Sequence, residues 1–457
     1  MNMGKDLTEV RSPQRQLAPD IVGLEQGEPT FLWGIANKAK TKKRHRFRDL
    51  YRCLNEELIY HAWVSLNKGA ASGVDKVTAE AYAEDLHANI QRLIERLKTK
   101  RYRAKLVRRV YIPKENGKQR PLGIPALEDR LIQSAAAKVL TAIYEQDFLD
   151  CSYGYRAGRS AHDAVSELTR ELQFGPYHTV VEADIQGFFD HMDHDWLLEM
   201  LEQRIDDRAF LGLIRKWLKA GILETDGKVI HPETGTPQGG LVSPVLANVY
   251  LHYALDLWFE REVKKSCRGK ARLIRYADDW VCAFQHEDDA ERFYRMLPKR
   301  LQKFGLEIAP EKTNRLPFSR RYLRKGKRFI FVGFEFYWEK DRKGQPRVKR
   351  RTAPKKLQGV SRRIKAWIKK ERHLSKRDFV RGLNRRLTGH YNYFGIIGNG
   401  HSLNRFYLWA MECTFKWLNR RGGKRKSFTR ETFWRAVDRG LFRKPRIVAG
   451  SSRRVFA

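Results

Sequence analysis

Apolar positions along this chain follow two periods in alternating blocks. From about residue 47 to 100 they recur at helical spacing, first as Leu50, Leu54, Leu58 and Trp63, then as Leu86, Ile90, Leu93 and Leu97. Between the two sets lies a glycine-rich break running from Asn67-Lys68-Gly69-Ala70 to Gly73-Val74-Asp75. The pattern then turns strand-like. Arg108-Arg109-Val110-Tyr111-Ile112-Pro113-Lys114 reads as a short strand, Glu115-Asn116-Gly117-Lys118 as a turn, and Arg120-Pro121-Leu122-Gly123-Ile124-Pro125 as the return, which makes a hairpin with a cationic tip. A helical stretch follows to about 147, then the β-prone segment Thr179-Val180-Val181-Glu182-Ala183-Asp184-Ile185 and a helix over 193–204. Ser243 predicts an N-cap and Pro244 a first helical residue, with apolar positions continuing to Trp258; the tight loop Thr236-Pro237-Gln238-Gly239-Gly240 precedes them. Two strands, 273–276 and 280–284, flank Ala277-Asp278-Asp279 as a hairpin turn. No internal repeat or low-complexity tract interrupts the series.

Charge changes this picture from a plain globular chain to one with a polyanionic partner. Against 53 acidic residues stand 91 Lys and Arg, a formal charge of +38. Such a chain repels itself unless nucleic acid relieves it. A packaging protein would share the charge, but it would not need 11 Trp, 24 Phe and 42% hydrophobic residues. At roughly 100–200 residues per domain, 457 residues predict several globular units. Residues 1–46, with Pro13, Pro19, Pro29 and the cluster Lys38, Lys40, Lys42, Lys43, Arg44 and Arg46, read as a basic flexible arm. Between Asp341 and Arg372 fourteen basic residues meet only two acidic ones, which places a boundary near 345 and leaves 346–424 as a helical region and 425–457 as a basic tail. The five cysteines are scattered singly, so neither a zinc knuckle nor a disulfide framework is expected. No run of about 18 apolar residues and no basic-then-apolar leader appears, so no membrane partner is expected and the protein is read as soluble and intracellular.

Candidate chemistry rests on carboxylates. Transfer of a nucleotidyl group to a 3′-hydroxyl uses two divalent cations, and Mg2+ asks for carboxylate oxygens. Asp278 and Asp279 at a hairpin tip, with Asp184 at the end of a neighbouring strand, would bring three carboxylates to one point. Clustering them without an ion costs free energy through like-charge repulsion. An isolated Asp-Asp pair is ordinarily solvated surface, and Asp206-Asp207 and Asp288-Asp289 read as ordinary helix-start or turn residues. Asp278-Asp279 differs in lying between two apolar strands. His191 and His194 among Asp190, Asp193 and Asp195 could be taken for a zinc site, but Asp193 before an apolar run reads better as a helix cap.

Tyr276-Ala277-Asp278-Asp279 is the box found in reverse transcriptases, and its company strengthens the resemblance. Asp184-Ile185-Gln186-Gly187-Phe188-Phe189-Asp190 looks like the block carrying the first metal aspartate, and Pro237-Gln238-Gly239 like the block against the incoming nucleotide. Gly73-Val74-Asp75, Arg120-Pro121-Leu122-Gly123-Ile124-Pro125, Tyr153-Gly154-Tyr155-Arg156 and Phe331-Val332-Gly333-Phe334 resemble blocks of group II intron enzymes, in that family's order over roughly residues 65–340. Gly389-His390-Tyr391-Asn392-Tyr393-Phe394-Gly395, Trp417-Leu418-Asn419-Arg420 and Lys426-Ser427-Phe428-Thr429 resemble its maturase or thumb region. Retron and diversity-generating enzymes carry an Asp-Asp box too, but this C-terminal region fits them less well.

The resemblance implies roles. Asp184, Asp278 and Asp279 would bind two Mg2+ ions, with the Ile185 main-chain carbonyl as a further ligand. Lys114 and Arg120 would close on the triphosphate, and Gln238 and Gly239 would touch the nucleotide. Phe188 or Phe189, with Phe188 preferred, would lie beneath the sugar and exclude a 2′-hydroxyl; two consecutive Phe after a strand are otherwise core. Phe331, Val332, Gly333 and Phe334 resemble a primer grip, Gly333 permitting close backbone approach. The basic stretch, with Arg350, Arg351, Lys355, Lys356, Arg362 and Arg363, would ordinarily be a solvated face; interrupted by Trp367 beside the thumb, it is expected to hold RNA phosphates.

The expected fold is therefore α+β, a right-hand polymerase with fingers and palm over 47–345, an antiparallel palm sheet bearing the aspartates, a helical thumb and a helical N-terminal extension. The expected function is RNA-directed DNA synthesis from dNTPs on an RNA template and a DNA primer or target, with binding of intron RNA to assist splicing and mobility, in a bacterial cytoplasm. Two rivals stand beside it: an RNA-binding splicing factor with a vestigial site, and a group II-like enzyme used by the host in repair or defence. Many relatives carry a C-terminal endonuclease with paired Cys and His; none is expected here, so mobility would use nicks made by others.

Overall fold

Thr179–Asp184 is apolar on both faces, and a strand of that kind is stable only between two cores. In the computed structural model, which describes residues 21–24, 27–113, 119–236, 239–323, 327–420 and 427–448, that is its position. The strands in chain order are β1 (Val107–Pro113), β2 (Gln119–Ile124), β3 (Thr179–Asp184), β4 (Ile222–Leu223), β5 (Val229–Ile230) and β6 (Ala271–Tyr276). They continue as β7 (Asp279–Phe284), β8 (Asn314–Pro317), β9 (Phe329–Phe331), β10 (Phe334–Lys340) and β11 (Pro346–Thr352). Three sheets result, ordered β2-β1-β4-β5, β6-β7-β3-β8 and β11-β10-β9.

The β6-β7-β3-β8 sheet is antiparallel throughout and organises the molecule. Because side chains alternate along a strand, Val181, Ala183, Leu273, Trp280, Cys282 and Phe284 enter one core, with helices Thr30–Thr41, Glu56–Ser65, Leu127–Tyr144 and Ser243–Leu251. Val180, Ile274, Val281 and Ala283 enter the other, with Ala161–Phe174, the β11-β10-β9 sheet and the C-terminal helices Pro354–Glu371, Lys376–Phe394, Gly400–Leu418 and Arg430–Asp438. Each large apolar side chain removed from water in this way contributes about 1.5–3 kcal/mol. The fold is thus mixed helix and antiparallel sheet, as expected. No helix among the described residues is long and apolar enough to cross a membrane.

Several local expectations change. Part of the expected arm is ordered: Thr30–Thr41 is a helix whose Leu32, Ala36 and Ala39 are fully buried, a narrow apolar stripe beneath the lysines that a reading dominated by charge overlooks. Ser243 is not the N-cap. Val242 takes that place, and the Ser243 hydroxyl lies 2.7 Å from that of Thr236, pinning the preceding loop. Asp193 does cap helix His194–Glu202, accepting the Trp196 N–H at 2.8 Å, and Asp207 caps Arg208–Leu218. The compositional change at 345 falls in the turn of the β10–β11 hairpin, whose strands pair from Phe334↔Thr352 to Lys340↔Pro346. Asn399, 1% exposed, ties that hairpin to the helices: it accepts the Thr352 N–H at 3.0 Å and donates to Thr352 Oγ1 at 2.9 Å and the Phe394 carbonyl at 2.8 Å.

Replacing Asn399 with Ala takes the side-chain acceptor from the buried Thr352 N–H, while the Phe394 carbonyl keeps the Ile396 N–H at 2.9 Å; a stranded buried group costs about 1–3 kcal/mol. The expected outcome in calorimetry is a melting temperature lowered by several degrees.

Candidate functional site

The site is built at one end of the β6-β7-β3-β8 sheet. The register of β3 on β7 sets Asp184 opposite Asp279, and Asp278 precedes Asp279 in the turn from β6. That turn is sharp because Ala277 sits at φ 57°, an uncommon conformation for a residue with a Cβ. Something must hold it there. Arg275, 0% exposed, donates from Nη1 to the Ala277 carbonyl at 3.0 Å and to Asn248 Oδ1 at 3.0 Å. Its other nitrogens donate to both oxygens of the buried Asp256, at 2.8 and 2.6 Å, and to Ser152 Oγ at 2.7 Å. Asp256 closes a π-helical turn, His252–Asp256, in the continuation of helix Ser243–Leu251. Asn248 in turn donates to the Gly154 carbonyl at 2.7 Å, and Tyr153 N–H donates to the Arg275 carbonyl at 2.8 Å. Gly154 lies so close under the turn that a Cβ there would collide with the Ala277 backbone nitrogen. The Tyr153-Gly154-Tyr155-Arg156 motif is therefore a backing strip for the aspartate hairpin.

Burial raises the Asp278 carboxyl above the usual carboxylate range, with Asp184 adding repulsion. Asp279 is pushed up to about 7, again by burial first and then by the charges of Asp278, Asp184 and Glu182, against the stabilising N–H of Val332, which donates to Oδ2 at 2.9 Å. The Asp184 Oδ2 accepts a hydrogen bond from Lys312, whose own pKa is raised by that contact. The expectation of three carboxylates closing on one point is modified accordingly: among the described residues no group of three or more His, Cys, Asp or Glu side chains is arranged to hold a metal. Asp184 is turned onto an ammonium and Asp279 onto an amide, which keeps the like charges from meeting. The donor chemistry nevertheless fits Mg2+, being hard oxygens on rigid strands with raised proton affinity that a cation would displace.

Around this centre the other expected residues divide. Arg120, exposed on β2, lowers the Asp278 pKa through its charge, so it lies within electrostatic reach of the aspartates. Gly239 backs onto Gly123 of the same strand. Lys114 and Gln238 lie outside the described residues. Phe188 is 2% exposed, with its ring 6.3 Å from that of Tyr250, and Phe189 is 9% exposed. Ile185 is buried and bridges to Ile308. Phe331 and Phe334 are core; Val332 and Gly333, at φ 50° and 77°, form the turn between β9 and β10. Gly333 is used for its φ, since a Cβ there would meet nothing nearer than 3.6 Å. His194 Nε2 lies 2.6 Å from the Gly235 carbonyl, which gives it a structural partner.

Arg350 and Arg351, both assigned to RNA, have protein partners. Arg350 donates to Thr169 Oγ1 at 3.1 Å and the Ile397 carbonyl at 3.0 Å, and Arg351 pairs with Glu335 at 2.6 Å; both lie on β11, facing packed neighbours. Lys355, Lys356, Arg362 and Arg363 are exposed on helix Pro354–Glu371, two turns apart and hence on one face. Lys312 and the Arg275–Asp256–Asn248 set were missed. Nothing in the spacing marks Lys312, but Arg275 was legible as a charge directly after Leu273-Ile274 in an apolar strand, where a partner is obligatory.

Asp256→Ala would strand the Arg275 guanidinium, and a buried pair broken in this way costs about 3–5 kcal/mol; the expected result is a large loss of thermal stability, read by calorimetry. A second outcome follows from the Asp279 carboxyl. Its pKa is raised in the folded state, so without metal the fold is favoured below the unfolded carboxylate range and loses that contribution as pH rises through about 7. Mg2+ should therefore raise the melting temperature more at pH 8 than at pH 6, and Asp278→Asn should blunt the effect.

Residues 112–336 match the family described as reverse transcriptase (RNA-dependent DNA polymerase). The chain is 42% identical over 227 residues to the group II intron-encoded protein LtrA of Lactococcus lactis subsp. cremoris, covering 47% of this chain and 37% of that one. It is 37% identical over 249 residues to protein YkfC of Escherichia coli strain K12, covering 53% and 64%. It is 30% identical over 95 residues to nuclear intron maturase 1, mitochondrial, of Arabidopsis thaliana, covering 21% and 13%. The chain thus spans less than two thirds of the length of each of these relatives. The chain therefore carries a reverse transcriptase domain over residues 112–336, with the aspartate hairpin and its backing strip inside it, and is similar to group II intron-encoded proteins.

Proposed function

We propose that this protein copies RNA into DNA and binds intron RNA to assist its splicing and mobility. One observation carries the reading: β3 and β7 are paired so that Asp184 faces Asp279, with Asp278 beside them in a turn held by buried hydrogen bonds. In this reading the β2-β1-β4-β5 sheet and its helices are fingers, the β6-β7-β3-β8 sheet is the palm and the helices from Pro354 onward are the thumb.

Asp184, Asp278 and Asp279 would hold two Mg2+ ions, whose chemistry when bound is to acidify the primer 3′-hydroxyl and offset charge on the leaving diphosphate. Arg120 on β2 meets the triphosphate of the incoming dNTP and Gly239 lies along the nucleotide; the roles read from sequence for Lys114 and Gln238 fall on residues outside those described. Phe188 packs against Tyr250, so Phe189 takes the place beneath the sugar, reversing the preference drawn from sequence. The Val332-Gly333 turn meets the primer end. Intron and template RNA meet the face bearing Lys355, Lys356, Arg362 and Arg363, where phosphate contacts set a salt-sensitive affinity. Trp417, with Lys369, Arg372 and Arg420 all within 5.7 Å of its ring, adds a cationic aromatic surface nearby.

The test is primer extension on an RNA template with dNTPs and Mg2+. The Asp278→Ala, Asp279→Ala variant should lose activity by roughly 10²–10³-fold or more, the scale of removing preorganised electrostatic groups, while retaining RNA binding. A wild-type protein that binds intron RNA tightly and never extends a primer would instead support the splicing-factor reading.

A further inference from the structure

Val332 is a β-branched residue held at φ 50°, a conformation that such residues adopt only where their surroundings enforce it. Both of its backbone groups are engaged. Its N–H donates to Asp279 Oδ2 at 2.9 Å, and its carbonyl accepts the Tyr393 hydroxyl at 3.1 Å. The two partners come from distant parts of the chain: Asp279 opens β7, and Tyr393 lies in the last turn of helix Lys376–Phe394. Tyr393 is itself fixed at several points. Its carbonyl lies 2.6 Å from His162 Nε2, and its ring stacks on Phe334, with centroids 6.1 Å apart at 11°, and meets Phe394 edge-on at 4.8 Å. The hydroxyl thus holds the peptide on one side of the strained Val332 Cα, and the peptide on the other side grips the carboxylate.

We propose that Tyr393 is a positioning residue: through Val332 it fixes the orientation of the Asp279 carboxylate, so that the C-terminal helices contribute to the affinity of the aspartate site for divalent cation. The proposal rests on the reading above that Asp279 is a metal ligand. Without the hydroxyl, the Val332 carbonyl loses that anchor and the residue can relax its φ. Its N–H then leaves Oδ2, and the carboxylate gives up the orientation that the turn imposed. Partners that orient a ligand from behind in this way typically govern metal affinity by about 10–100-fold.

The test uses the full chain carrying Tyr393→Phe, which keeps the ring and its stacking on Phe334 and removes one oxygen. Two readouts are taken: the Mg2+ concentration giving half of the maximal rise in melting temperature without nucleic acid, and the Mg2+ concentration giving half-maximal primer extension. Both should increase roughly tenfold, with extension recovering as Mg2+ is raised and with the dissociation constant for an RNA–DNA duplex in EDTA unchanged. Val332→Gly, which releases the strained φ, should shift both midpoints the same way. Unchanged midpoints in Tyr393→Phe, or weakened duplex binding with unchanged midpoints, would overturn the proposal and leave the polymerase reading intact. A wild-type protein that neither extends primers nor gains stability from Mg2+ would overturn that reading, and the proposal with it.

Discussion

A guanidinium with no access to water sits behind the aspartate hairpin, and much of the architecture exists to make that tolerable. Arg275 carries a full charge into the interior, where an unpaired ion is prohibitively costly, so each of its donors must find an acceptor. The acceptors come from two separate pieces of chain: the helix that carries Asn248 and continues into the π-helical turn ending at Asp256, and the strip containing Ser152. Meeting one electrostatic demand therefore brings both segments to the strand that carries Arg275 and fixes the Ala277 carbonyl at the same time. A hydrophobic residue could fill that volume, but it could not define the turn.

Much of this architecture could be read from residue patterns, and the failures have physical causes. The alternation in Val180-Val181 and the apolar strands around Asp278-Asp279 announce a sheet with both faces covered and an acidic end. The caps at Asp193 and Asp207 follow from local hydrogen bonding, which is written in neighbouring residues. What the sequence hid is long-range. Whether Arg350 meets RNA or Thr169 depends on a helix 181 residues away in the chain. The choice between Phe188 and Phe189 depends on where Tyr250 packs. The helix Thr30–Thr41 was masked because lysine density draws attention from Leu32, Ala36 and Ala39.

The same contrast runs through the charges. The excess of basic residues is a property of the surface, where water screens each one, and it acts collectively on a polyanion. The few acidic groups at the end of the central sheet act individually, because burial magnifies every neighbour. Lys312 belongs to both populations, being largely exposed yet bonded to Asp184.

The β10–β11 hairpin straddles the point at which the composition turns basic. Evolution or an engineer exchanging C-terminal regions between relatives could not splice chains there. A junction at 345 would separate seven paired residues and strip β10 to a raw edge carrying Phe334, Phe336 and Trp338 on its inner face, an invitation to intermolecular pairing. The unit of inheritance in this part of the molecule is the whole second core, with the hairpin and its helices travelling together.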